Sequence, residues 1–344
     1  MTQRLLAGAL YHGRLWAPYF RLRGQRRRPA SAVLFTFHRI VDAHTPYLFK
    51  GPTVQTPVAW FERLMAGLRR YYDMVSLDQV VQHLESGQPF ARDCVAVTFD
   101  DGYEDNYRLA LPILRRYGIP ATVFLATGFI GTGRWLWMDR LEQALLQTCR
   151  PHLELEPLGL PGRLPLAGLV RRRQANLRLS AHLKTLAPPA LEAALAALEQ
   201  ALAVDPGRYR RTMLTWEEVR ALARAGVDIG SHGVSHVILT QMPRDQALAE
   251  LESSKTRLEA ELQRPVRHFA YPNGRAEDFD ETLCAAARGL GYRSVSTCIW
   301  GRNTPSETDT FALRRIGIGG DLPICLLRVE RLLHAGAGEA RETA

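Results

Sequence analysis

A chain of 344 residues, 46% apolar and 23% charged, is long enough to bury a large core and too apolar to be disordered. Its formal net charge of +9 is concentrated at one end. Arg4, Arg14, Arg21, Arg23, Arg26, Arg27 and Arg28 stand in a stretch without an acid, and setting those seven aside leaves +2. A nucleic-acid-binding domain spreads its cations over a folded face, so that class is disfavoured, and no apolar run reaches the length of a membrane span.

Residues 1–30 interleave Leu5, Leu6, Leu10, Trp16 and Phe20 with arginines, and lack the apolar run and cleavage site of a secretory signal. An amphipathic helix resting on an anionic membrane surface and a helix packed on the folded body both fit this segment. With five cysteines at no close spacing, the chain is predicted to be cytoplasmic, with peripheral contact at the inner membrane surface left open. Cys94 and Cys298 are predicted to be small core residues.

Residues 33–37 read as a strand that ends at His38-Arg39. A helix over 57–72, a short strand over 72–77 and a helix from Leu77 to Gly87, capped by Ser76, follow. The strand at 95–99 ends in Asp100-Asp101-Gly102. A helix over 105–117, closed by Gly118, leads to a strand at 122–126, the rhythm of parallel βαβ units. Residues 139–212 break that rhythm and read as a helical insertion of two to four helices, one of them introduced by Pro188-Pro189. Trp135 and Trp137 are predicted to pack this insertion on the body, and Arg171-Arg172-Arg173 to form a solvated face.

The rhythm returns with a capping box, Thr215 and Glu218, and a helix that ends at Gly226. Strands at 227–231, 266–271, 293–298 and 312–318 and a helix over 243–263 complete the pattern. From Arg331 a fraying helix and tail are expected. Seven strands alternating with helices predict a distorted (β/α)7 TIM-like barrel over 31–320, interrupted by the insertion 139–212 and followed by a C-terminal helix or tail over 321–344. His38, Asp100, Asp101 and His232 all fall at C-terminal strand ends, which converge on one face of such a barrel.

Adjacent carboxylates at a strand end repel unless a cation or proton lies between them, so Asp100-Asp101 is a solvated turn or half of a metal site. His232 and His236, four apart after another strand, favour the metal, since imidazole and carboxylate donors suit a divalent ion.

Thr98-Phe99-Asp100-Asp101-Gly102 and Ser231-His232-Gly233-Val234-Ser235-His236 resemble the first two motifs of the polysaccharide deacetylases, the NodB-type carbohydrate esterases. The resemblance spans residues 31–137 and 213–320. It implies that Asp101, His232 and His236 bind a divalent metal, zinc first, with cobalt, nickel or manganese fitting the same donors. It also implies that Asp100 is the catalytic base; the residues alone leave the roles of the two aspartates open. His38 is similar to a histidine after the first strand in the circularly permuted branch, which includes poly-N-acetylglucosamine deacetylases, and is expected to be the general acid. That it only orients Arg39 stays open.

Phe269-Ala270-Tyr271-Pro272-Asn273-Gly274 resembles the third motif, and assigns Tyr271, Pro272 and Asn273 to a turn whose N–H groups face the oxyanion. Two positions depart from the family: Ala270 replaces an arginine that holds the catalytic aspartate in relatives, and Asn273 replaces a tyrosine. Arg315 is expected to supply the missing charge from a neighbouring strand. The implied reaction is hydrolysis of an N-acetyl group, before an O-acetyl group, on an amino-sugar polysaccharide or lipid-linked glycan. An amidase acting on a small non-glycan amide, and an inactive glycan-binding protein of the same fold, remain as alternatives.

Overall fold

Twelve strands punctuate the described chain: β1 (Ala32–Phe37), β2 (Arg39–Val41), β3 (Gln55–Pro57), β4 (Asp73–Met74), β5 (Cys94–Phe99), β6 (Ala121–Leu125), β7 (His152–Glu154), β8 (Arg163–Pro165), β9 (Asp228–Ser231), β10 (His268–Ala270), β11 (Ser294–Ser296) and β12 (Arg315–Ile316). The structure, a computed structural model of the chain, describes residues 30–45, 47–48, 54–209, 212–317 and 319–334, with Gly8 and Leu15 before them. The predictions for the arginine-rich start and for the tail beyond His334 lie outside the described residues.

All strands of the main sheet run parallel, in the order β11-β10-β9-β6-β5-β1-β12, with β4 beside the start of β5. Leu313, just ahead of β12, donates its N–H to the Val295 carbonyl (2.9 Å) and its own carbonyl accepts from Thr297 N–H (2.8 Å), an isolated bridge to β11 that nearly closes the ring. The result is a distorted (β/α)7-type barrel. Alternation along the strands divides the side chains. Val33, Phe35 and Phe37 of β1 and Val95, Val97 and Phe99 of β5 face the surrounding helices. Ala32, Leu34, Ala96, Phe124, Ala270 and Leu313 meet inside the barrel instead. Gly230 belongs to this crowded interior, since a Cβ there would strike the Phe124 ring.

The helices are α1 (Val58–Tyr71), α2 (Leu77–Ser86), α3 (Leu111–Tyr117), α4 (Trp137–Gln147), α5 (Gly168–Leu183), α6 (Pro188–Ala201), α7 (Trp216–Arg224), α8 (Arg244–Leu262), α9 (Glu281–Gly289) and α10 (Leu322–His334). Ser76 and Gln79 form a capping box on α2, and Thr215 and Glu218 form one on α7. Leu77, Val80, Val81 and Leu84 of α2 pack on the interior barrel residues and plug that end. Helices α4, α5 and α6 enclose a second core, built from Leu141, Leu145, Leu179, Leu183, Leu195 and Leu198. Trp137 packs on this core, and Trp135 meets Tyr209 edge-on at 5.3 Å.

Several expectations need correction. The segment between the barrel halves is not wholly helical: β7 and β8 form an antiparallel hairpin whose leucines give no β-branched signal. Arg172 is not a solvated residue. Its guanidinium donates to the carbonyls of Leu145, Leu146, Thr148 and Leu166, satisfying the end of α4, while Arg173 Nε donates to Leu48 O at 2.9 Å. Cys298 lies beyond the end of β11 and is exposed rather than a core residue. Among the described residues the strand expected over 312–318 covers Arg315–Ile316, because Asp309 caps a tight turn at Thr310–Ala312 just before it. Helix α10 does not fray at Arg331, since Leu332 and Leu333 are buried in the main core. No described helix is long and apolar enough to cross a membrane.

Candidate metal centre

Strand β5 delivers the two aspartates in different directions. Thr98 and Asp100 continue the inward-facing alternation of the strand, and Asp100 N–H donates to Phe37 O of β1 at 2.8 Å. At Asp101 the backbone turns into the left-handed region (φ 76°), and Gly102 follows at φ 90°. A Cβ on Gly102 would stand 2.7 Å from Leu125 and 2.8 Å from Ile130, so the turn needs glycine for space as well as for conformation.

Asp101 meets two imidazoles carried by the chain after β9. His236 Nε2 lies 2.9 Å and His232 Nε2 3.4 Å from Asp101 Oδ1. Among the described residues these three form the cluster able to hold a metal ion, and Asp101 and His232 are buried. His232 Nδ1 is 2.7 Å from the Ala270 carbonyl. That carbonyl fixes the proton on Nδ1 and turns the lone pair of Nε2 toward Asp101, the tautomer a metal ligand needs. Asp101 Oδ1, although buried, accepts no aligned hydrogen bond. A buried carboxylate oxygen facing two imidazole nitrogens with no proton well placed among them fits a divalent cation.

Asp100 is held by a different partner. Arg315, which is 1% exposed, reaches across the barrel interior with Nη1 2.6 Å from Asp100 Oδ1 and Nη2 2.8 Å from Oδ2. Its Nε donates to Thr297 O (2.9 Å), Nη1 also donates to Thr98 Oγ1 (3.2 Å), and its guanidinium carbon lies 5.6 Å from the Phe124 ring centre. Burial opposes the charge on Asp100, but Arg315 and then His232 outweigh it and hold the carboxyl below the usual carboxylate range. Burial also opposes the charge on Asp101, where His236 and then His232 prevail. His38 is close enough for its charge to act on both aspartates.

Sequence reasoning missed the residues that hold these loops. Asp105 accepts from Arg39 Nε (2.9 Å) and Ile40 N–H (2.8 Å), and Asn106 Nδ2 donates to His38 O (2.7 Å), which pins the exit of β1. Glu250 of α8 accepts from Val234 N–H (2.6 Å), Ser235 N–H (2.9 Å) and Ser235 Oγ (2.6 Å), which clasps the loop between the two histidines. Asp139, the third residue of α4, is buried beside Tyr103 and Arg39, and burial pushes it up to about 7 against the pull of Arg39. The signal for Asp105 and Asn106 lay in their closeness to the aspartate pair; Glu250 gave none.

The third-motif turn is brought to the site only in part. Tyr271 is turned away: its ring stacks on Phe279, its hydroxyl lies 3.5 Å from Cys284 Sγ, and its N–H donates to Ser296 O. The expectation that its N–H faces the oxyanion is therefore corrected; strand alternation puts Ala270 inside the barrel and Tyr271 among the helices. Asn273 sits at φ 62°, with Nδ2 bonded to Asp278 Oδ2 at 2.6 Å, and Gly274 N–H returns to Pro272 O at 2.8 Å. Among the described residues no acceptor takes the Asn273 backbone N–H.

A family model described as polysaccharide deacetylase matches residues 87–159 and 168–295, which include both aspartates, both histidines and the third-motif turn. The chain belongs to the polysaccharide deacetylase family. YxkH of Bacillus subtilis, named for the same family, is 21% identical over 292 residues, covering 85% of this chain and 72% of that protein. A poly-β-1,6-N-acetyl-D-glucosamine N-deacetylase of Staphylococcus aureus is 27% identical over 126 residues, 34% of this chain and 43% of that protein. Among solved structures, the deacetylase PplD of Streptococcus pyogenes superposes with a TM-score of 0.57 at 19% identity, covering 88% of this chain and 98% of its own. IcaB from Ammonifex degensii gives 0.57 at 17%, covering 90% and 99%. At these identities the likeness shows the deacetylase fold. Family model, fold and ligand cluster together support a metal-dependent deacetylase reaction.

Proposed function

We propose that this chain hydrolyses the N-acetyl groups of an amino-sugar glycan, polymeric or lipid-linked, on a barrel spanning residues 31–320. The observation that carries the reading is a second carboxylate, Asp100, held ionised by Arg315 beside the Asp101–His232–His236 cradle. A divalent ion in that cradle, zinc first among those the donors suit, would polarise the acetyl carbonyl and acidify the attacking water. Asp100 accepts the proton of that water as the new C–O bond forms. The backbone N–H of Asn273 is the donor free to face the carbonyl oxygen as it gains charge. His38, which faces the aspartates from the end of β1, gives a proton to the nitrogen as the C–N bond breaks, so that amine and acetate leave. The likeness to a protein named for poly-N-acetylglucosamine supports the amino-sugar choice over a small amide.

The deciding experiment compares wild type with Asp100→Asn for bound metal and for acetate release from N-acetylglucosamine oligosaccharides. The variant is expected to keep its metal and lose nearly all turnover. Activity retained in Asp100→Asn removes that residue as the base.

A further inference from the structure

Helix α5 carries three of the four large apolar side chains that stand exposed among the described residues: Leu169 (55%), Val170 (67%) and Leu177 (60%). Val170, Leu177 and Ala181 fall at i, i+7 and i+11, one line along the helix. The opposite side, with Ala175, Leu179 and Leu183, is buried in the second core, so the exposed line is not a misplaced core face. Arg171 and Arg178 are exposed and border that line.

Charge singles out the same region. Between Glu156 and Glu192 the chain holds no acid, and it holds Arg163, Arg171, Arg172, Arg173, Arg178 and Lys184. The face is also rigidly mounted, because Arg172 fastens α5 to the end of α4 and Arg173 fastens it to Leu48. Lys184, just past the helix, lies within the fields of Arg275 and Asp278, in the turn that follows Asn273. The residue that follows α5 is thus close enough to the third-motif turn for their charges to interact.

A second copy of the chain would set like charge against like charge across this face. A glycan would be met by aromatic rings and amides rather than by valine and leucine. An apolar line bordered by arginines, on a segment that carries no acid of its own, complements an anionic bilayer. We propose that α5 docks the protein on an anionic phospholipid surface, with Val170 and Leu177 entering the headgroup–acyl boundary and Arg171 and Arg178 meeting lipid phosphates. The inference is independent of the chemistry at the metal centre.

The test is vesicle flotation of the full chain, with phosphatidylethanolamine–phosphatidylglycerol vesicles against phosphatidylcholine vesicles. Wild type is expected to float with the anionic vesicles alone. Val170→Asp/Leu177→Asp and Arg171→Gln/Arg178→Gln are each expected to weaken that partition on the order of tenfold, with unchanged melting. If the aspartates lower the melting temperature, Val170→Ser/Leu177→Ser carries the same expectation. Undiminished flotation of the apolar double variant overturns the proposal and assigns any binding to the arginines of the first 28 residues. Failure of wild type to float, or a wild-type dimer that the same variant dissolves, overturns it as well.

Discussion

Asp100 and Arg315 form an ion pair inside the barrel, where two charges must either satisfy each other or destabilise the fold. Removing one partner from such a pair costs about 3–5 kcal/mol, because the other charge stays buried. Arg315→Ala is therefore expected to lower the melting temperature and to reduce turnover by more than a hundredfold, since an unpaired Asp100 takes up a proton and no longer accepts one. The pair also explains how the chain manages with alanine at position 270. Ala270 faces the interior, where a longer side chain would compete with Arg315 for the space beside Phe124. Restored turnover when Ala270→Arg is added to Arg315→Ala would show that the charge matters and the strand that carries it does not. Full activity in Arg315→Ala alone would sink the idea. A second residue, Asp139, gives a pH signature. Burial raises it to about 7, so between the ordinary carboxylate value and about 7 the native state holds a proton that the unfolded state has released. Stability falls as pH rises through that window. Asp139→Asn removes this dependence, and thermal scans should show it stabilising the protein at pH 8 more than at pH 5. An equal effect at both values would exclude a raised pKa.

The elements place the ligands, but acids behind them set their angles. The loop from His232 to His236 contains a non-glycine residue in the left-handed region, His236 at φ 55°, a conformation that needs outside support. Glu250 supplies it, its one buried carboxylate accepting three hydrogen bonds from the loop. Glu250→Ala is expected to weaken metal affinity about 10–100-fold, the usual effect of losing a group that orients ligands, while the barrel stays folded. Metal titration followed by circular dichroism checks both halves, and an unchanged affinity refutes the role. This support is also where sequence reading reached its limit. Strands β1, β5 and β6 and the aspartate and histidine motifs could be read because alternation and local spacing carry them. Glu250 could not, being one acid among several on a helix, and its bonds to Val234 and Ser235 follow no helical or strand spacing. Gln55-Thr56-Pro57 forms β3 only because Arg39–Val41 offers it a partner, and no local propensity announces that. Arg172 reads as one of three solvated arginines until the carbonyls at the end of α4 are in place.

At the scale of the whole molecule, hydrophobic packing is divided between the barrel with its helices and the separate leucine core under α4, α5 and α6. The metal cradle belongs wholly to the first. Asp101 comes from the end of β5 and His232 from the end of β9, with β6 between them, so a bound ion ties together strands that are not neighbours. Binding to the native state alone stabilises it by about 4 kcal/mol when free metal exceeds its dissociation constant a thousandfold. For a chain of this size that is roughly 5–10 °C in melting temperature. Zinc added to chelator-treated protein should therefore raise the melting of the barrel, and His232→Ala should abolish the rise. If the two cores melt in separate steps, calorimetry should show zinc moving the barrel's step and leaving the leucine core's step in place. A zinc-dependent rise that persists in His232→Ala would mean that the ion stabilises the protein from somewhere other than this cradle.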